Sequence, residues 1–177
     1  MTNKQILWVE DNPVFMPELI RETKKQYPSS NMKTLFSKID FAYDLNTAKE
    51  LTNSNQYQLY IFDADFPTEM NPERKKLVTS YLRLQLSSKP QQTQQLPFTS
   101  CNREGDNNAF RIIPKLPNYE QLRKEGKIVM FSMSIDAAGI AFYRYQKLPF
   151  YPKASEPEKI KQILPDIWMQ FPTSPGY

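Results

Sequence analysis

The 177-residue chain contains no histidine, and that absence removes a large part of protein chemistry. Ser-His-Asp and Cys-His catalysis, histidine-ligated zinc and a phosphohistidine on this chain are all excluded. Any metal must be held by oxygen, which favours Mg²⁺ or Ca²⁺. The single cysteine, Cys101, cannot form an internal disulfide, in keeping with a reducing compartment and an expected cytoplasmic location. Only 4 glycines stand against 15 prolines, so connections should be stiff and irregular rather than glycine-rich. No apolar run is long enough to cross a bilayer, and the amino terminus lacks the apolar stretch of a secretory signal. What is present, 40% hydrophobic and 13% aromatic residues, is enough for one domain with a proper core.

Four apolar runs each lead into residues with phosphate or metal chemistry. Ile6-Leu7-Trp8-Val9 runs into Glu10-Asp11, and Leu59-Tyr60-Ile61-Phe62 into Asp63. Ile128-Val129-Met130-Phe131 runs into Ser132, and Leu148-Pro149-Phe150-Tyr151-Pro152 delivers Lys153. Continuous apolar runs of this length suit strands buried on both faces, as in a parallel sheet. Ile39-Asp40-Phe41-Ala42-Tyr43 alternates instead, which suits a strand nearer the sheet edge. Ligands of open parallel sheets bind beyond the carboxyl ends of the strands. The acidic pair, the aspartate, the hydroxyl and the lysine should therefore converge on one edge.

Between the runs lie helical patterns. Asn12-Pro13 reads as a helix start, with Phe15, Leu19 and Ile20 facing inward. Asn46 or Thr47 caps a short helix through Leu51. The resulting β-α-β-α-β rhythm signals a doubly wound sheet. It then breaks: Asp63 to Ser132 spans 69 positions, far more than one crossover requires. Within that span, Pro72 to Leu86 reads as a helix with Leu77, Tyr81 and Leu82 on its apolar side. Ser87 to Asn108 reads as a polar, glutamine-rich loop, and Tyr119 to Lys124 as a second short helix. Segment 71–127 holds 11 Lys/Arg against 5 Asp/Glu, a net of +6, and the remainder of the chain is net −2. The plain reading of this basic segment is a solvated surface excursion; the sharper one is docking of an acidic partner or nucleic acid. Ile135 to Tyr145 reads as a helix with Ile135, Ile140 and Phe142 or Tyr143 available for packing. Glu156-Pro157-Glu158 starts a last helix with Ile160, Ile163, Leu164 and Ile167 as its core stripe. Only 24 residues follow Lys153, so no separate output domain is expected.

An acidic pair, an aspartate, a hydroxyl and a lysine, in that order at strand ends, resemble the receiver domain of two-component response regulators. Pro67, four residues after Asp63, and Phe150, three before Lys153, match further positions of that family. The resemblance covers the chain outside about residues 68–125. It implies one receiver-like domain over 1–177 with 68–125 as an insertion, built on an α/β, flavodoxin-like (βα)₅ doubly wound parallel sheet of strand order 2-1-3-4-5. It also implies that Asp63 is the phosphoacceptor, with Mg²⁺ held by Glu10, Asp11, Asp63 and the Asp65 backbone carbonyl. Ser132 and Lys153 would contact phosphoryl oxygens, and Ser132 with Phe150 would form the switch. The implied partners are a histidine kinase or phosphotransfer protein and an unknown downstream protein. Neither a membrane nor a nucleic acid is an expected partner. The chemistry is coherent, because a carboxylate attacking a phosphoryl group adds negative charge to an acidic cluster, which a divalent ion, an ammonium and a hydroxyl offset.

The family usually places proline after the lysine and a small residue after the hydroxyl. Here Ala154 follows Lys153 and Met133 follows Ser132. These departures, with the insertion, leave open a degenerate receiver that acts as an interaction module without phosphorylation. A phosphatase of the haloacid dehalogenase type is a further alternative, since Asp63-Ala64-Asp65 resembles its DxD motif, although Glu10-Asp11 would then have no role. Each site residue alone also has an ordinary reading, as a cap, a turn or core.

Overall fold

The computed structural model describes residues 5–12, 38–86, 108–132 and 137–152. The apolar runs become strands, as uninterrupted β-branched and aromatic residues flanked by polar turns dictate. They are β1 Ile6–Val9, β2 Ile39–Ala42, β3 Leu59–Phe62, β4 Ile128–Ser132 and β5 Phe150–Pro152. All pair in parallel, in the order β2-β1-β3-β4-β5. Every residue of β1, β3 and β4 is buried, whereas β2, at one edge, is only partly covered. The doubly wound architecture read from the sequence is the one present. Strand β5 starts at Phe150, two residues later than the apolar run suggested, because Pro149 precedes it and cannot donate to a ladder.

The described helices are α1 Leu45–Ser54, α2 Pro72–Leu86, α3 Asn108–Ile112, α4 Tyr119–Lys124 and α5 Ala137–Gln146. A 3₁₀ turn, Ile113–Lys115, continues α3. Alternation sends Leu7, Val9, Tyr60, Phe62, Ile128 and Met130 to one sheet face. That face packs on Leu45 and Ala48 of α1, Ala109 and Ile112 of α3, and Ile113 and Leu116 beyond it. On the other face Trp8 stacks on Phe41 at 6.2 Å and meets Phe131 edge-on at 5.9 Å. Among the described residues, no helix is long and apolar enough to cross a membrane.

Three sequence expectations are corrected. Helix α1 is capped by Asp44, not by Asn46 or Thr47: its Oδ1 accepts the Thr47 amide at 2.7 Å. Helix α2 has the expected bounds, but Leu77 is 52% exposed, and among its described side chains, residues 72–80, Val78 is the buried one, at 1%. The face is fixed by Arg74 and Lys75, which reach back to the domain and share Val78's side of the helix. The basic segment is not wholly a surface excursion, since Ala109, Ile112, Ile113 and Leu116 lie in the core. The expected helices after Asn12 and Glu156, the glutamine-rich loop to residue 107, and Cys101, Met133, Ile135 and Lys153 lie outside the described residues.

Candidate functional site

Register builds the site. Val9 pairs with Phe62 in β1 and β3, so Glu10 and Asp63 leave the sheet side by side at its carboxyl edge. The Asp63 amide donates to the Val9 carbonyl at 2.9 Å, and the Glu10 amide to that of Ala42 at 2.9 Å. Glu10 Oε1 accepts the Asn12 amide at 3.0 Å, which holds the side chain over the turn. Carboxylate oxygens of Glu10, Asp11 and Asp63 thereby come within 4.8 Å of one another, with Glu10 and Asp63 buried and Asp11 partly so. Like charges this close repel by up to about 4 kcal/mol per pair at an effective dielectric of 20.

A hard divalent cation suits these donors. All are carboxylate oxygens, with no sulfur or imidazole among them, and Mg²⁺ takes oxygen ligands at about 2.0–2.1 Å. Neighbouring oxygens around such an ion would lie about 3 Å apart, so the three carboxylates would draw together on binding it. Asp65, whose carbonyl the resemblance adds to the set, follows two residues on and is partly buried.

Ser132 is buried at the end of β4, the strand beside β3. It pairs with Pro152, the residue before Lys153. Lys153 itself lies outside the described residues; among those described, the structure brings together Glu10, Asp11 and Asp63. Phe150 is half-buried on β5 and stacks on Tyr143 of α5 at 4.8 Å and 12°. That places it against a helix rather than beside the carboxylates.

The loop after Asp63 is a strap with several ties. Asp44 Oδ2 accepts the Met70 amide at 3.1 Å, while the Leu45 and Asn46 amides donate to the Pro67 and Thr68 carbonyls at 3.0 and 3.2 Å. Asn108, fully buried, donates through Nδ2 to the Phe66 carbonyl at 2.8 Å. Lys75 Nζ donates to Thr47 Oγ1 at 2.8 Å and lies 3.9 Å from Asp44. The strap ends where it began, because Arg74 Nη2 lies 3.6 Å from Asp11 Oδ2. Sequence reasoning missed Arg74, Asp44 and Asn108. The one available signal was the +6 charge of the basic segment, whose first two cations find acids on this same chain.

Neither a protein-family model nor a curated protein matches the chain. Solved structures do. The phosphorylated cyanobacterial phytochrome response regulator RcpA aligns over 98% of this chain and 99% of its own, with TM-score 0.52 and 16% identity. The chain has the receiver-domain fold. Two other receiver-fold structures align less closely. The Mn²⁺-bound response regulator Rcp1 has TM-score 0.48 and 14% identity over 98% of this chain and 99% of its own. A CheY-like receiver from Methanospirillum hungatei JF-1 has TM-score 0.45 and 13% identity over 94% and 98%. In a receiver fold the acidic edge lies where open parallel sheets take their ligands.

Proposed function

We propose that the protein is a signalling receiver that accepts a phosphoryl group on Asp63. The donor is a phosphohistidine on a histidine kinase or phosphotransfer protein, and the modification changes which downstream protein binds. One observation carries this reading: three carboxylates meet within 4.8 Å at the carboxyl edge of the two central strands. A cluster so costly in self-repulsion needs a cation and suits a reaction in which charge is managed.

An Asp63 carboxylate oxygen attacks phosphorus; the new O–P bond forms as the donor's N–P bond breaks, and the electron pair returns to the donor imidazole. Mg²⁺, held by Glu10, Asp11, Asp63 and the Asp65 carbonyl, would supply the positive charge that draws the phosphoryl oxygens toward the nucleophile. The Ser132 hydroxyl donates a hydrogen bond to a phosphoryl oxygen, and the Lys153 ammonium pairs with another. Ser132 and Phe150 carry the change outward, Phe150 through its stack on Tyr143. RcpA, of the same fold, is described as phosphorylated.

The test is incubation with acetyl phosphate and Mg²⁺, with intact-mass and peptide mass spectrometry. One acid-labile phosphate on Asp63, absent from Asp63→Asn and abolished by a chelator, is the expected result. No adduct under conditions that saturate ordinary receivers leaves a phosphorylation-independent interaction module. Sustained turnover of a phosphate ester points instead to a phosphatase.

A further inference from the structure

We infer that Arg74 is the resident counter-ion of the acidic edge, and that an incoming divalent cation displaces it from Asp11. This rests on the metal-assisted reading above and adds a competitor built into the chain. Arg74 stands in the first turn of α2, 63 residues from Asp11 in sequence. Its Nη2 lies 3.6 Å from Asp11 Oδ2 and donates to the Asp11 carbonyl at 3.4 Å. Asp11 belongs to the carboxylate trio. A guanidinium at that position offsets part of the trio's repulsion while no other cation is near.

The two cations exclude each other for a physical reason. Mg²⁺ binds carboxylate at about 2.0–2.1 Å, keeps several waters and requires near-octahedral geometry. A guanidinium against the same carboxylate occupies room that those waters need, and the like charges repel. The contacts between Arg74 and Asp11 are also ones suited to break. Both are long for a charged hydrogen bond, and the two side chains are 28% and 15% exposed. By contrast Asp44 holds its amides at 2.7 and 3.1 Å, and Lys75 holds Thr47 at 2.8 Å. The backbone of the strap stays fixed on α1, and the Arg74 side chain is its movable arm. Metal entry therefore turns an inward-facing arginine outward on the first turn of α2. Metal affinity is set partly by that exchange.

Two measurements on the full chain test this. Mg²⁺ affinity is read by calorimetry for wild type, Arg74→Gln and Lys76→Gln, the last removing an exposed cation from the same helix. Arg74→Gln is expected to bind about five- to tenfold tighter, and Lys76→Gln less than about twofold tighter. In wild type, labelling of Arg74 by an α-dicarbonyl reagent, read by peptide mass spectrometry, is expected to rise severalfold when Mg²⁺ is added. Equal affinity in wild type and Arg74→Gln, equal shifts in both variants, or labelling that Mg²⁺ does not raise overturns the exchange and leaves the metal site standing. Failure of all three proteins to bind Mg²⁺ overturns both. If Arg74→Gln does not fold, the wild-type labelling decides alone.

Discussion

Tyr57 lies almost wholly inside the protein and donates its hydroxyl to Asp40 Oδ2 at 2.8 Å, with its ring edge-on to Tyr60 at 5.6 Å. Burial first, and then the hydrogen bond and charge of Asp40, push the phenol above its ordinary value of 10.0. Burial raises Tyr60 as well. The sign of the resulting pH effect follows from proton counts. Below the ordinary tyrosine value, both folded and unfolded chains keep this proton and its contribution is complete. Above it, the unfolded chain releases the proton first, so stability falls as pH rises toward the raised folded value. Each such group adds a slope of at most about 1.4 kcal/mol per pH unit. Tyr57→Phe should therefore lose stability less steeply than wild type above about pH 10, measured by urea unfolding across that range. Identical slopes would mean that the buried phenol does not hold its proton.

Helix α2 shows how far pattern alone specifies an element. Its bounds were legible, because Pro72 with Glu73 marks a start and no helix breaker follows before Leu86. Its buried side was not, since Leu77 and Val78 both fit a helical stripe and only the long-range contacts of Arg74 and Lys75 choose between them. Val78→Ala should cost about 2 kcal/mol by opening a cavity, while Leu77→Ala should stay within about 0.5 kcal/mol, both read from denaturant midpoints. The reverse ranking would mean that α2 docks by its other side. The same limit explains α1 and α3. Asp44, Asn46 and Thr47 are all capable caps, and Asp44 wins by holding Met70 as well. Helix α3 is short, and its buried Asn108 follows a polar stretch, so its core role appears only once Phe66 offers a carbonyl. Strands were easier. A run such as Ile128 to Phe131 has nowhere to be but inside, and chemistry placed just after it lands at the sheet edge.

At the scale of the whole molecule, the acidic trio gathers like charges, a strain that a bound cation would relieve. A ligand bound only by the folded state stabilises it, by about 2.7 kcal/mol at one hundred times its dissociation constant. Saturating Mg²⁺ should therefore raise the unfolding temperature of wild type. Asp63→Asn, with one carboxylate fewer, should be more stable than wild type by about 1 kcal/mol in chelator, and should gain less from Mg²⁺. Thermal unfolding with and without the ion checks both, and a less stable Asp63→Asn in chelator would show that the carboxylates are not in conflict. The trio was visible in the sequence because each member follows a strand. Its arginine was not, because no local signal joins residues 11 and 74.

The two carboxylate-bearing turns grow directly out of β1 and β3, each flanked by a strand on both sides. Fraying that begins at the rim of the sheet, at β2 or β5, leaves the ladder between them intact. Binding of a cation by the trio, unlike the proposed roles of Phe150 on β5 and of the lysine that follows it, should accordingly be an all-or-none property. It persists while the periphery breathes, and disappears only when cooperative melting takes the centre with it.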